Sequence, residues 1–358
     1  MMASPAQAIA NGAKRTVYGA RQAARVLWYT GHYAAGRHVM GPLTNPGEPP
    51  YAEEFGPVDR ARLKDSFSDL FKTDWKNIEE GRYKLPKGAL RAPSPARLWK
   101  QSRDYLRDAA KVAQRKSEGG HSEVLTPELR EKFPRYYLQN FHYQTGGWLT
   151  AGSADRYDMQ VETLFTGSAD AMRRHALPAI GEIVGAHQGQ GRTLLDVGCG
   201  TGGFLREVKH NWPDLRVTAL DLSPAYLAKA QSKLGQWSDV EYRQDNAEKT
   251  ELEDGLFDVV TAVYLFHELP PAARANVARE ISRLLKPGGR FVLVDTLQYG
   301  DEPGFDILLE NFPRGFHEPY YDSYCREDLG DLFGKHGLTE GASTLAFLSK
   351  ISIFEKAL

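Results

Sequence analysis

The chain has 358 residues, 41% hydrophobic and 25% charged, which is enough apolar material for one large or two modest domains with a buried core. Its formal net charge of −1 gives no whole-chain signature for nucleic acid, and its two cysteines, Cys199 and Cys325, exclude a disulfide framework or a cysteine-based zinc site. The low cysteine count fits a reducing, cytoplasmic setting, and no apolar run reaches the ~18 residues that a membrane span needs.

Residues 1–47 contain no Asp or Glu, yet carry Lys14, Arg15, Arg21, Arg25 and Arg37, which leaves about −6 on the remainder. On a helix Lys14, Arg21 and Arg25 share one stripe, interleaved with Tyr18, Val26, Leu27, Trp28, Tyr29 and Tyr33. Three readings of this arm are open: contact with an anionic membrane surface, an Arg-rich targeting segment, or a helix docked on the chain's own surface. Residues 48–134 read as a helical extension with Pro-rich linkers. Pro42, Pro46, Pro49 and Pro50 break the chain over 41–56, and a second break falls at 85–95. A helix is expected over 59–72, with a second, short one opening at Thr73. Leu98, Tyr105, Leu106, Ala109 and Val112 predict a stronger amphipathic helix, and 116–123 reads as a loop.

Residues 135–185 begin with five aromatics and His142 within fourteen positions. Such a segment is a core plug or the wall of an apolar pocket; Gln139, Asn140, Gln144, Thr145 and the Gly146-Gly147 pair favour the pocket. Ser153 or Asp155 caps a helix through Tyr157, Val161 and Leu164, and Ser168 or Asp170 caps one leading to Ile183.

From residue 186 onward the chain alternates as a doubly wound α/β sheet does. Leu194, Leu195, Asp196 and Val197 run into Gly198, Gly200, Gly202 and Gly203, and Phe204, Leu205 and Val208 follow. That is strand, tight turn and helix, with glycine wherever a ligand must lie against the main chain. Both Gly-x-Gly-x-x-Gly and Asp-x-Gly-x-Gly-x-Gly fit, so glycine spacing alone does not choose the cofactor. A second strand over 217–220 ends at Asp221, where a carboxylate can take both ribose hydroxyls. A third over 240–243 is followed by Asp245 and Asn246, and an apolar fourth runs over 256–263. A helix over 271–285, a Lys286-Pro287-Gly288-Gly289 turn, a fifth strand over 290–294 and a hairpin over 345–354 complete the pattern. A nicotinamide dehydrogenase would add a Tyr-x-x-x-Lys pair after the turn; the one such spacing, Tyr83 to Lys87, spans Pro86 far ahead of it.

Over residues 178–297, and more loosely near the C-terminus, these motifs resemble the class I S-adenosylmethionine-dependent methyltransferases, in the branch similar to the ubiquinone and menaquinone C-methyltransferases. The resemblance implies a Rossmann-like, seven-stranded doubly wound sheet with one antiparallel strand, plus a mainly helical N-terminal extension and a lid over 135–185. It implies S-adenosylmethionine as cofactor in the 186–358 domain, held by Asp196, Gly198, Gly200, Gly202, Asp221, Leu222, Asp245, Asn246 and Tyr264. The acceptor would enter near an insertion at about 298–325.

His267, after strand four, is the first candidate for general base, because an imidazole titrates near neutral pH; capping of the next helix by His267-Glu268 is the plainer alternative. Phe-His recurs at His142 and His317, and a second aromatic segment at 312–324 includes Tyr321. The two aromatic segments are expected to meet across the donor methyl, with His142, His317 and Tyr321 as further candidates. No spacing fixes a metal site, and none is expected. Aromatic walls suit a small hydrophobic or aromatic acceptor, such as a quinone-like ring, an isoprenoid or a lipid. Whether carbon, oxygen or nitrogen receives the methyl stays open. A non-catalytic scaffold with the same fold is the alternative, and the lack of a basic domain and of an Asn/Asp-Pro-Pro-Tyr tetrapeptide weighs against a nucleic-acid or protein substrate.

Overall fold

The structure, a computed structural model, describes residues 5–41, 57–90, 93–185 and 187–358, with side chains from Gly12 onward. The Pro-rich linker expected over 41–56 lies outside the described residues apart from Gly41.

The acid-free arm is one helix, α1 (Pro5–Met40). It docks on the protein's own helices: α2 (Arg60–Glu79), α3 (Pro95–Ser117) and, beyond the one-turn α4 (Pro127–Arg130), α5 (Ala151–Leu164). Tyr18 is 3% exposed and donates to Asp74 of α2. Gly36 sits directly beneath Tyr105 of α3, where a Cβ has no room. Arg25 Nη2 lies 2.6 Å from Glu162 of α5 and 3.0 Å from Asp170. The basic stripe therefore splits: Lys14 stays exposed while Arg25 turns into the protein. Asp74 also accepts both arms of Arg174, at 2.9 and 2.6 Å, and the Tyr83 hydroxyl at 2.7 Å. Its buried carboxylate is held below the usual range because these partners outweigh desolvation.

Two expected boundaries shift here. The helices at 59–72 and Thr73 are a single α2, capped by Asp59 and continued by a buried face of Leu70, Asp74, Trp75 and Asn77. The cap of α5 is Thr150, not Ser153 or Asp155. Ser153 is instead buried against Gln144 and Tyr226. Ser168 does precede α6 (Ala169–Arg174), and the run to Ile183 is finished by a separate α7 (Leu177–Val184).

The described residues form a seven-stranded sheet in the order β3-β2-β1-β4-β5-β7-β6. β1 (Thr193–Val197) and β4 (Phe257–Val263) are central and wholly or nearly buried, as parallel strands covered on both faces must be. α8 (Gly203–Asn211) crosses from β1 to β2 (Arg216–Asp221), α9 (Pro224–Leu234) from β2 to β3 (Val240–Gln244), and α10 (Pro271–Leu284) follows β4. β5 (Leu285–Thr296) begins earlier than expected: the Lys286 to Gly289 turn is an irregularity inside the strand, where pairing with β4 shifts register between Phe257 and Val259. After α11 (Asp306–Gly315), α12 (Tyr321–Cys325) and α13 (Leu329–Gly334), the hairpin is longer than its predicted 345–354. β6 (Leu338–Ala346) and β7 (Ser349–Lys356) form it, and β7 alone runs antiparallel, between β5 and β6.

Candidate active site

The carboxyl ends of β1, β2 and β4 open on a cavity of about 750 Å³, counting the part that meets solvent. Its floor is the glycine turn. Gly198 and Gly200 line it with φ of 70° and 55°, conformations that a side chain resists. Gly202 (φ 73°) does a different job, because a Cβ there would press on Ala230 and Leu234 of α9 at 3.1 Å, and it does not line the cavity.

Asp221 ends β2 at the cavity rim, its Oδ2 accepting from Gly200 N–H and its Oδ1 from Ser223 N–H, each at 2.8 Å. Burial lifts its carboxyl to about 6 against the pull of these backbone donors. Leu222, Asp245 and Asn246 line the cavity next to it. Asp245 Oδ1 accepts the Asn246 N–H at 2.8 Å, which fixes the turn that presents both. Asp196 lies deeper, 1% exposed and outside the cavity wall, where its Oδ1 accepts from Thr261 at 2.6 Å and burial lifts it to about 7.

The lid side is aromatic. Tyr136 and Tyr137, Trp148, Tyr157 of α5 and Tyr226 of α9 all line the cavity. Trp148, Tyr157 and Tyr226 meet edge to face with centroids 5.5–5.8 Å apart. Next to Tyr157, Asp158 accepts from Thr201 of the glycine turn at 2.6 Å and from Lys233 at 2.7 Å, so α5 is tied to the floor it covers. The sequence named Tyr157 and Tyr226 only as helix positions or not at all; neither stands in a glycine or carboxylate motif.

Tyr264 ends β4 in the left-handed region (φ 56°), rare for a tyrosine, and lines the cavity. Phe165 stacks on it at 5.7 Å, Arg173 lies 5.5 Å over its ring, and its hydroxyl meets Ser349 at 2.8 Å.

The acid-base candidates stand apart from the wall. His267 Nδ1–H donates to Asp295 Oδ1 at 2.5 Å, and Phe266 N–H to the other oxygen at 2.9 Å. Burial disfavours the imidazolium, but the Asp295 carboxylate prevails and lifts His267 to about 9. Its ring is walled by Tyr321 and Tyr324 and does not line the cavity. Glu268, the next residue, does.

The aromatic segments at 135–148 and 312–324 do meet. His142 N–H donates to the His317 carbonyl, and its ring faces Phe312 and Phe316 at 5.7 and 5.3 Å. His142 Nε2 is 2.7 Å from Glu318, and its backbone is left-handed (φ 54°). Only the first segment lines the cavity; the second stands behind it. His317 pairs with Gln139 at 2.8 Å, stacks on His121 and is lowered to about 4 by burial, while the Tyr321 hydroxyl meets Thr296 at 2.7 Å. His142, His317 and Tyr321 thus lie outside the cavity wall.

An adenosine cofactor fits this wall. Leu222, Ala247, Leu269 and Val277 offer apolar surface for a flat base, Asp245 and Asn246 carry side-chain oxygens near it, and Asp221 faces outward at the right strand end for ribose. No phosphate-binding cation lines the cavity among the described residues.

Comparison with known proteins agrees. Residues 194–289 match a family described as a methyltransferase domain. The ubiquinone biosynthesis O-methyltransferase of Azotobacter vinelandii is 36% identical over 40% of this chain and 68% of its own length. That of Pseudomonas paraeruginosa is 38% identical over 36% of this chain and 56% of its own. The demethylmenaquinone methyltransferase of Lactococcus lactis is 32% identical over 50% of this chain and 65% of its own. The chain thus spans just over half to about two thirds of these relatives, and the match leaves the helical extension outside it. Cavity, carboxylates and sequence agree that the chain belongs to the class I S-adenosylmethionine-dependent methyltransferases, in the branch of the ubiquinone and menaquinone methyltransferases.

Proposed function

We propose that the protein transfers a methyl group from S-adenosylmethionine to a small hydrophobic or aromatic acceptor of quinone-like character. The observation that carries this reading is the Asp221 carboxylate pinned to Gly200 beneath a wall of tyrosine and tryptophan. When bound, the cofactor supplies an already activated, electrophilic methyl group. The protein's work is therefore alignment, exclusion of water and removal of one proton. Asp221 accepts the ribose hydroxyls, Asp245 and Asn246 take the adenine amino group, and Gly198 and Gly200 let the ligand approach the main chain. Asp196 supports the floor from beneath, tied to Thr261. Trp148, Tyr157 and Tyr226 close over the site through the Asp158 to Thr201 tie. Alignment of this kind is worth up to ~7 to 11 kcal/mol of barrier. The aromatic wall suits a flat ring, and the names of the relatives, all quinone-pathway methyltransferases, support that class.

The docked α1 adds a route for a greasy acceptor. Leu27 is 74% exposed on it and Trp99 is 65% exposed on the neighbouring α3, while Lys14 and Arg15 are exposed nearer the start of α1. We propose that the exposed side of these two helices meets an anionic membrane surface.

Labelled S-adenosylmethionine incubated with the protein and a whole-cell lipid extract should yield a labelled hydrophobic product, identified by mass spectrometry. Label that stays in the donor, or passes to protein or nucleic acid, would overturn the acceptor class.

A further inference from the structure

Adjacent residues of one short turn meet opposite environments here. Phe266 to Glu268 form a single 3-10 turn after β4; His267 is spent on Asp295, whereas Glu268 reaches the cavity wall. The Glu268 backbone N–H bonds to the Leu265 carbonyl, but no donor meets its carboxylate among the described residues. On its other side lies Glu318, whose side chain is completely buried. Neither Glu318 oxygen has a donor in hydrogen-bonding geometry, and His142 is its one ion-pair contact among the described residues. An unpartnered carboxylate on the cavity wall, backed by a second dry carboxylate, is an expensive arrangement for a stable fold and an apt one for a proton carrier.

We propose that Glu268 is the catalytic proton acceptor of the transfer, with His267, Asp295 and Glu318 as positioning residues around it. The inference rests on the methyltransferase reading above. For a hydroxyl acceptor, a Glu268 carboxylate oxygen takes the hydroxyl proton while the oxygen's electron pair forms the new bond to the methyl carbon. The carbon–sulfur pair stays on sulfur, which leaves as a neutral thioether, and the proton then passes from Glu268 to solvent. His267 cannot serve in this way at neutral pH, because its pairing with Asp295 already keeps it protonated.

The charges around Glu268 explain when it becomes ready. Burial pushes its carboxyl well above the usual range; His267 opposes this, and Glu318, Asp295 and Asp221 reinforce it. Those four, from its own turn, from the segment between α11 and α12, from the end of β5 and from the end of β2, face it together with the Tyr137 and Tyr157 hydroxyls of the cavity wall. With the site empty, burial favours the neutral form of Glu268. A sulfonium brought against it favours the carboxylate, so donor binding arms the base.

Calorimetry in two buffers of different ionisation enthalpy, at pH 7, counts the protons released when S-adenosylmethionine binds the full chain. The wild type should release roughly one proton more than E268Q, by the linkage between a placed charge and a titrating group. With S-adenosylhomocysteine, which carries no sulfonium charge, that difference should vanish, and E268Q should bind it as the wild type does. Turnover of 4-methylcatechol, used as the hydroxyl-bearing probe acceptor, should fall ~100-fold or more in E268Q, the range for loss of a general base. Equal proton release by wild type and E268Q overturns the proposal. So does an E268Q enzyme with unchanged turnover, or an H267Q enzyme that alone loses the acid limb of the pH profile. No turnover of 4-methylcatechol by the wild type would reject that acceptor and leave Glu268 to be judged by the proton count. A wild type that binds no S-adenosylmethionine would overturn the methyltransferase reading itself.

Discussion

Arg25 of α1 lies 2.6 Å from Glu162 of α5, the helix that also brings Tyr157 into the cofactor cavity. The N-terminal helix is therefore a brace for the lid, and its basic residues divide between that task and the exposed face.

Arg25→Ala leaves the Glu162 carboxylate, a buried side chain, without its principal cation. A buried group left unsatisfied costs ~1 to 3 kcal/mol, more when charged, so a lower melting temperature is expected together with weaker S-adenosylmethionine binding. Deleting residues 1–40 should remove co-sedimentation with anionic vesicles and also weaken cofactor binding. The docked helix ties this arm to the lid, so cofactor binding should depend on it. Calorimetry on the truncated chain checks it, and unchanged affinity would mean that α5 keeps its place unaided.

Asp221→Ala removes the proposed acceptor for the ribose hydroxyls as well as the anchor of Gly200 N–H. Each hydrogen bond is worth ~0.5 to 1.5 kcal/mol net, so affinity for S-adenosylmethionine should drop at least several-fold. Asp221→Asn, which keeps one acceptor oxygen, should fall between the wild type and alanine.

Gly198 and Gly202 should separate binding from folding. Both have positive φ, so alanine strains either backbone by ~1 kcal/mol or more. At Gly202 the new Cβ meets Ala230 and Leu234, and the expected loss is in melting temperature. At Gly198 it projects beside Leu265 at the cavity floor, and the larger loss should be in cofactor affinity. Equal effects of the two variants on affinity would refute this division.

The His267 to Asp295 pair predicts a pH signature of stability. The folded-state value of about 9 exceeds the ordinary imidazole value of about 6.5, so its stabilisation is fully present below about 6.5 and is lost as pH rises through 9. Melting temperature should decline across that window in the wild type. In His267→Gln the same window should be flat by comparison, which differential scanning calorimetry from pH 6 to 10 would resolve.

Much of the sheet was legible because buried parallel strands are apolar runs cut off by glycine or aspartate, as at Val197-Gly198 and Leu220-Asp221. β6 was hidden for the opposite reason. Seven consecutive residues of this edge strand are exposed, so no alternation marks it. Asp221 and Asp245, which stand at strand ends on the cavity wall, could be read from spacing. The lid could not: the partners of α1 are Asp74, Glu162 and Asp170, far along the chain, and nothing local announces them. His267 and Glu268 show the finest limit. Sequence marked their turn as chemical, but only the geometry of the turn decides which of the two neighbours meets the cavity.

The antiparallel β7 occupies a place next to the last in the sheet, yet it is the last of the strands to be synthesised. Until it arrives, β5 presents a bare row of amides and carbonyls, and β6 has no strand to pair with. Assembly thus waits on the newest part of the chain, so a nascent molecule needs protection late, when most of its apolar core is already made. A chain ended at residue 346 should self-associate through the β5 edge, visible as light scattering, although every cavity-lining residue is present in it.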